Sequence, residues 1–221
     1  MTLDDLVESF REYADDLVEP YLWSTSLVES YADRAEVEAC ERRPLLTSST
    51  DEDMCQIAVS ADVGKYTKHV AVREVYYAKF TETASDEAHK LFITNIDELA
   101  FLEPTWEDLE SEPKYLLLDD SSVQIIPTPT VDGLLEMSIS HVPKTLASVT
   151  YNFSIHSAHH YNLVYWMLHL AFEKRDADTF NAKKALDYET RFANYFGESK
   201  GVNTLKTVRS VRDDRNRGGW I

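Results

Sequence analysis

The spacing of apolar residues changes twice along this chain, and this change constrains the fold more than any other feature of the sequence. Apolar side chains recur every three or four residues over 3–18 and again over 26–43, which predicts two amphipathic helices. Over 55–142 the period becomes two, as expected for short strands. Helical spacing returns over 157–196. The pattern predicts an α+β fold in which a β-rich region is inserted into a helix bundle.

The predicted organisation has four segments. They are the first helices of the bundle at 1–46, the β-rich insertion at 55–143, the last helices of the bundle at 155–197, and an extended basic tail at 198–221. We expect the insertion to be a meander of short antiparallel strands, because turn-forming residues separate its apolar runs. Within it, the runs at 55–60 and 70–77 flank a turn and are predicted to pair with each other.

Short polar signals mark where individual helices begin. Ser26 and Glu29 match a capping box at the start of the second helix. Asn95 is a suitable N-cap for a short helix that follows it. Asp176 and Asp178 are predicted to start the last helix, because carboxylates stabilise a helix N-terminus.

Charge and composition exclude several classes of protein. The 221 residues carry a net charge of −17, which is too acidic for a protein that coats nucleic acid. Six glycines form neither a dinucleotide-binding nor a P-loop motif, and no apolar run is long enough to span a membrane. The start of the chain is acidic, so we expect no signal peptide, and Cys40 and Cys55 are expected to be reduced thiols.

The negative charge is not evenly distributed. Residues 200–221 contain six basic and two acidic residues, so the preceding 199 residues carry −21. Such an acidic body is either a solvated surface that aids solubility, or a surface past which DNA moves without being held. The carboxylates are densest at Asp97, Glu98, Glu103, Glu107, Asp108, Glu110 and Glu112.

The histidines are the only concentration of possible metal ligands. If the helix includes residue 156, His156 and His160 lie four apart on one face, the spacing of a metal pair. His169 lies about half a turn away from that face, so a third ligand would have to come from elsewhere. The alternative is that these histidines cap or pack a helix. Cys40, on a predicted helix, is typical of a small packing residue rather than a nucleophile.

The order of these elements resembles the head-tail adaptor, or head-completion (connector), proteins of tailed bacteriophages. The resemblance covers roughly residues 23–197. It is carried by the order and spacing of Trp23-Ser24-Thr25, Cys40 to Leu46, Pro113-Lys114-Tyr115, Ile126 to Leu134, His159-His160, Arg175 to Asp178 and Phe192 to Gly197.

The resemblance implies a non-enzymatic protein without cofactor or metal, made in the host cytoplasm and placed in the virion at the head-tail interface. It would form a ring of its own copies, twelvefold like the portal beneath it, prolong the DNA channel and dock the next tail or neck protein. The tail lies beyond the matching residues and resembles the family only in being a basic, extended segment. We expect it to bind the portal through Arg209, Arg212, Arg215, Arg217, Trp220 and Ile221. Two alternatives stay open: another neck or tail structural protein, and a metal-dependent hydrolase that uses His156 and His160.

Overall fold

The computed structural model describes residues 1–106, 111–175 and 179–199, which form two units. The helical unit comprises Met1–Leu46 and Val142–Ser199, and the sheet unit comprises Thr47–His141. The helices are α1 (Leu3–Ala14), α2 (Thr25–Arg42), α3 (Glu52–Cys55), α4 (Ile96–Leu102), α5 (Ala147–Thr150), α6 (His160–Glu173) and α7 (Ala182–Phe196). The strands are β1 (Leu46–Ser48), β2 (Gln56–Val59), β3 (Lys65–Thr67), β4 (Val72–Glu82), β5 (Ala88–Thr94), β6 (Tyr115–Leu118), β7 (Ser122–Ile126) and β8 (Gly133–His141).

Helix α6 is the centre of the helical unit. It packs against α1, α2 and α7, so its apolar side chains are buried on several sides, as its sequence predicted. Leu163, Val164 and Met167 of α6 are fully buried. Among the described residues, none of the helices combines the length and the apolar character that crossing a membrane requires.

Helix α1 is shorter than predicted. It ends at Ala14, because Asp15 adopts a left-handed conformation with φ of 59° and its N–H bonds back to the last turn. The predicted helix extended to residue 18, and that prediction was wrong. Leu17 and Val18, which the predicted helix included, lie beyond this cap and are exposed.

Two helix starts also differ from the sequence predictions. Helix α2 begins at Thr25 with Ser24 as its N-cap, so Ser26 lies inside the helix and does not form the predicted capping box. Helix α7 begins at Ala182, where the side chain of Asn181 accepts a hydrogen bond from the Lys184 N–H at 3.0 Å. The predicted start at Asp176 and Asp178 falls on residues outside the described part of the chain.

The strands form one sheet in the order β1-β8-β4-β5-β6-β7-β3, and β2 also pairs with β8. The long strand β4 pairs antiparallel with both β8 and β5. Strand β2 pairs with β8 in the register Gln56 opposite Glu136. The predicted pairing of 55–60 with 70–77 was therefore wrong, because both runs pair with β8 rather than with each other.

The sheet is mixed rather than a simple antiparallel meander. Strands β5 and β6 pair in parallel, with Phe92 opposite Tyr115. Parallel neighbours need a crossover connection, and here the connection contains α4. Asn95 caps α4 as predicted, accepting from the Glu98 N–H at 2.9 Å. The α+β class is confirmed, with helices and a curled mixed sheet.

Candidate functional site

The sequence placed the main binding site in the basic tail, whose residues from 200 onward lie outside the described part of the chain. This applies to each of Arg209, Arg212, Arg215, Arg217, Trp220 and Ile221. The described residues contain four other features that bear on function. They are an exposed loop between α1 and α2, the acidic segment around α4, a set of histidines and buried carboxylates in the helical unit, and three potential metal ligands at the turn between β4 and β5.

A buried ion pair shapes the loop between α1 and α2. The Arg11 guanidinium donates to Asp16 Oδ2 at 2.8 Å, and both side chains are at least nine-tenths buried. Arg11 also donates to the Trp23 carbonyl oxygen at 3.2 Å, while Asp16 Oδ1 accepts from the Leu22 N–H at 2.8 Å. The guanidinium carbon lies 3.6 Å from the centre of the Tyr21 ring. These contacts fix both ends of the loop.

The fixed loop presents apolar side chains to solvent. Leu17, Val18 and Leu22 are 61%, 79% and 55% exposed, and we call them the loop surface. An ordered group of exposed aliphatic side chains is typical of a protein contact. The sequence analysis missed this surface because Leu17 fits the helical spacing of apolar residues and was therefore assigned to the buried face of a helix. Two consecutive aspartates followed closely by Pro20 were the available signal for a loop.

The acidic segment is only partly within the described residues. Asp97 and Glu112 are exposed, and Glu98 accepts a hydrogen bond from the Thr94 hydroxyl at 3.1 Å. Glu103 is half-buried. The remaining three acidic residues, Glu107, Asp108 and Glu110, lie outside the described part. Helix α4 itself carries exposed apolar side chains, Ile96 and Phe101, beside these carboxylates.

His156 and His160 do not form the metal pair that the alternative hydrolase function required. His156 precedes the helix and uses Nδ1 to accept from the Ala158 N–H at 3.2 Å. The ring nitrogens of buried His160 each lie 2.9 Å from a carbonyl oxygen, Nδ1 from that of Met1 and Nε2 from that of Ile155. Both nitrogens of His160 are therefore engaged with the backbone, and these histidines are structural.

His159, His169 and Cys40 also have packing roles. His159 Nδ1 lies 3.1 Å from the Tyr195 hydroxyl, and burial lowers the pKa of His159, with a smaller effect from Arg43. His169 Nδ1 lies 3.0 Å from the Ala185 carbonyl oxygen. Cys40 is buried, as expected for a packing thiol.

Two buried carboxylates of α2 act as structural anchors rather than as an acid and base. Asp33 Oδ1 accepts from the Ser148 N–H at 2.9 Å. Glu36 Oε1 accepts from the N–H groups of Ser154 and Ile155 at 2.6 and 3.1 Å. Burial raises the pKa of Glu36, and the two backbone hydrogen bonds only partly offset this effect. These contacts hold the segment that leads into α6.

The sequence analysis did not identify one group of side chains that could bind a metal ion. Ligand atoms of Glu82, Glu87 and His89 lie within 4.8 Å of one another. The signal in the sequence was weak, because carboxylates are abundant throughout this acidic chain. Only the turn between β4 and β5 brings these three side chains together.

Comparison with known proteins identified one family. The model of a family described as SU10 adaptor protein matches residues 1–218, nearly the whole chain. This range includes α1 and most of the basic tail, which the sequence motifs at 23–197 did not cover. A search of curated proteins found no match.

Proposed function

The chain belongs to the SU10 adaptor protein family of phage head-tail adaptors, and we propose that it forms a ring on the portal, prolongs the DNA channel and docks the next tail or neck protein. The family match over residues 1–218 is the observation that carries this proposal. The protein is accordingly a structural component of a phage virion. Twelve copies would match the symmetry of the portal, and the ring would add no catalytic step.

The acidic composition supports a role beside moving DNA. Each Lys or Arg that faces the duplex would add phosphate contacts and slow its passage. A body with −21 over its first 199 residues avoids such contacts. We place the acidic segment along or beside the DNA path. Its residue Asp97 has an exposed side chain, which would face the DNA in that arrangement.

The basic tail is our proposed portal-binding element. Its last 20 or so residues could extend roughly 70 Å, enough to reach a neighbouring ring. Ordering them would cost about 20 to 40 kcal/mol of backbone entropy, whereas burying Trp220 returns only about 4 to 6 kcal/mol. Contacts must therefore run along the tail, with its arginines pairing with acidic groups of the portal.

The loop surface of Leu17, Val18 and Leu22 is our proposed contact between adjacent copies in the ring. The loop is ordered by Arg11 and Asp16 before any partner arrives, so little conformational entropy is lost on docking. Three exposed aliphatic side chains bury too little area for a stable dimer by themselves. This contact would therefore form once the portal has arranged the copies.

Deletion of residues 201–221 tests the tail. The shortened protein should remain folded and soluble but no longer join the portal, and Trp220→Ala should only weaken joining. Cosedimentation with purified portal rings measures both effects. The matched control replaces four basic residues of the helical unit, Lys174, Arg175, Lys183 and Arg191, with Gln, and should join normally. If the shortened protein joins as well as the full chain, docking belongs to the helical unit.

Charge reversal tests the DNA path. Lys at Asp97, Glu107, Asp108 and Glu110 should slow DNA packaging or ejection, because each adds phosphate contacts. Glu98 and Glu112 are left unchanged since both have side-chain partners. The control carries Lys at four exposed carboxylates of the helical unit, Asp4, Glu8, Glu12 and Glu19. Normal rates in the first variant would show that DNA does not pass these residues.

A further inference from the structure

The hairpin of β4 and β5 collects three potential metal ligands at its tip. Glu82 ends β4, Glu87 lies in the turn, and His89 lies in β5 opposite Phe80. Since side chains alternate between the two faces of a strand, Glu82 shares the face of Phe80 and His89. The Glu82 N–H donates to the Glu87 carbonyl oxygen at 2.9 Å, which closes the hairpin and sets the three side chains side by side.

His89 presents a buried nitrogen without a hydrogen-bond partner to these carboxylates. Its side chain is only 10% exposed, and Nε2 is inaccessible to solvent. Glu82 Oε1 lies 3.6 Å from this nitrogen, beyond hydrogen-bond distance. Leaving a buried polar atom without a partner costs about 1 to 3 kcal/mol, so such an atom in a native fold needs an explanation.

The spacing of these atoms fits a shared cation. With bonds of about 2.1 Å to nitrogen and oxygen, two ligands of a tetrahedral zinc ion lie about 3.4 Å apart. The 3.6 Å between His89 Nε2 and Glu82 Oε1 is close to that separation. One ligand atom from each of Glu82, Glu87 and His89 lies within 4.8 Å of the other two, so a carboxylate oxygen of Glu87 is near enough to join the same cation after a side-chain rotation.

The other side of the imidazole is already held as in a metal-binding histidine. His89 Nδ1 lies 2.9 Å from Glu112 Oε1. When Nδ1–H donates to this carboxylate, the lone pair is left on Nε2, and the ring becomes a stronger ligand. The ring of Phe80 stacks on His89 with 6.4 Å between centroids and limits its rotation. Glu112 is thus a positioning residue and not a ligand.

We propose that Glu82, Glu87 and His89 bind one divalent transition-metal ion of the zinc class, with Glu112 orienting His89. A nitrogen ligand with two carboxylates favours zinc over calcium or magnesium, which prefer oxygen alone. The cation would satisfy Nε2 and offset the repulsion among three carboxylates. It would also fasten the hairpin tip to the segment before β6 through the His89–Glu112 contact. This site is independent of portal docking.

Zinc titration of the full chain, first freed of metal with a chelator, tests the proposal. Isothermal titration calorimetry with zinc chloride at neutral pH should show one site per chain, and zinc should raise the melting temperature. His89→Ala should lose at least 100-fold in affinity and lose the thermal shift. Glu112→Ala should bind 10- to 100-fold more weakly. His156→Ala removes an exposed histidine outside the site and should bind like the wild type.

The isosteric double variant Glu82→Gln/Glu87→Gln keeps the test valid if His89→Ala fails to fold. It retains the size of both side chains and removes both anionic ligands, so zinc affinity should again fall at least 100-fold. The proposal is overturned if the wild-type chain takes up no zinc at micromolar concentration. It is equally overturned if the double variant keeps the affinity and stoichiometry of the wild type, because zinc would then bind elsewhere.

Discussion

Buried charges in the helical unit are held by specific partners, and this determines what single substitutions do. Arg11 and Asp16 are both buried, and each also bonds to the loop backbone. Removing one member leaves the other charge buried without compensation, which is much more costly than removing an exposed pair. The ion pair therefore matters chiefly because it fixes the loop, not because it adds net stability.

We expect Asp16→Ala to lower the free energy of unfolding by about 3 to 5 kcal/mol. Arg11 would keep its buried position without an anionic partner, and the Leu22 N–H would lose its acceptor. Urea unfolding followed by circular dichroism measures the change. Glu8→Ala, at an exposed position on α1, is the control and should change stability by no more than about 0.5 kcal/mol. Similar values for the two variants would contradict a structural role for the pair.

Glu36 should make stability depend on pH. Burial raises its pKa in the folded state, so the folded protein binds a proton more readily than the unfolded chain. The contribution of Glu36 to the stability of the folded protein is therefore fully present below the pKa of Glu36 in the unfolded chain. It is lost as the pH rises through the higher pKa of Glu36 in the folded state. Glu36→Gln stays neutral and keeps an acceptor for Ser154 and Ile155.

We expect Glu36→Gln to be more stable than the wild type at pH 7, and the difference to narrow as the pH falls toward 4. Chemical denaturation at a series of pH values measures it. The control is Glu29→Gln, which makes the same carboxylate-to-amide change on the same helix but away from Ser154 and Ile155. The stability difference between Glu29→Gln and the wild type should not narrow as the pH falls. A Glu36→Gln difference that stays constant with pH would contradict the effect of burial.

At the scale of elements, β8 organises the sheet unit. It pairs with three strands, β1, β2 and β4. Gly133 begins β8 where the chain passes directly over Phe80. A Cβ atom at Gly133 would lie 2.3 Å from the Phe80 ring and 2.6 Å from the Thr81 carbonyl oxygen. The absence of a side chain is thus what allows this close approach.

We expect Gly133→Ala to destabilise the protein by about 1 to 3 kcal/mol, because Phe80 or the strand must move to admit the methyl group. Thermal unfolding measures the loss. Ser138→Ala, in the same strand but on the other face, should cost less. Because Phe80 stacks on His89, Gly133→Ala should also weaken zinc binding. Wild-type stability in Gly133→Ala would show that the ring has room to shift.

At the scale of the whole molecule, net charge opposes self-association. Copies that each carry −17 repel one another at long range, and the loop surface is too small to overcome this alone. We therefore expect the free protein to be mainly monomeric and to form its ring on the portal. Sedimentation velocity at micromolar concentration and low salt measures this state. A stable large ring without portal under those conditions would contradict the expectation.

Local patterns in the sequence determined the class of fold and the identity of most elements. The change from helical to alternating spacing and back located the strands between two sets of helices. Asn95 was correctly predicted as a helix cap, because capping depends on a few neighbouring residues. The order of short motifs was enough to identify the family, because several weak motifs in a fixed order are more specific than any one of them alone.

Tertiary structure alone decided which strands pair and which side chains meet. Alternation reports which face of a strand is buried but not its neighbour, so the pairing of β2 with β8 and the parallel β5 and β6 could not be read from it. The contact of His89 with Glu112 joins residues from different strands and loops. His160 likewise contacts backbone carbonyl oxygens rather than His156. The chain turns before the helix begins, so His156 and His160 do not share a helix face. Such contacts depend on long-range packing, which local spacing does not encode.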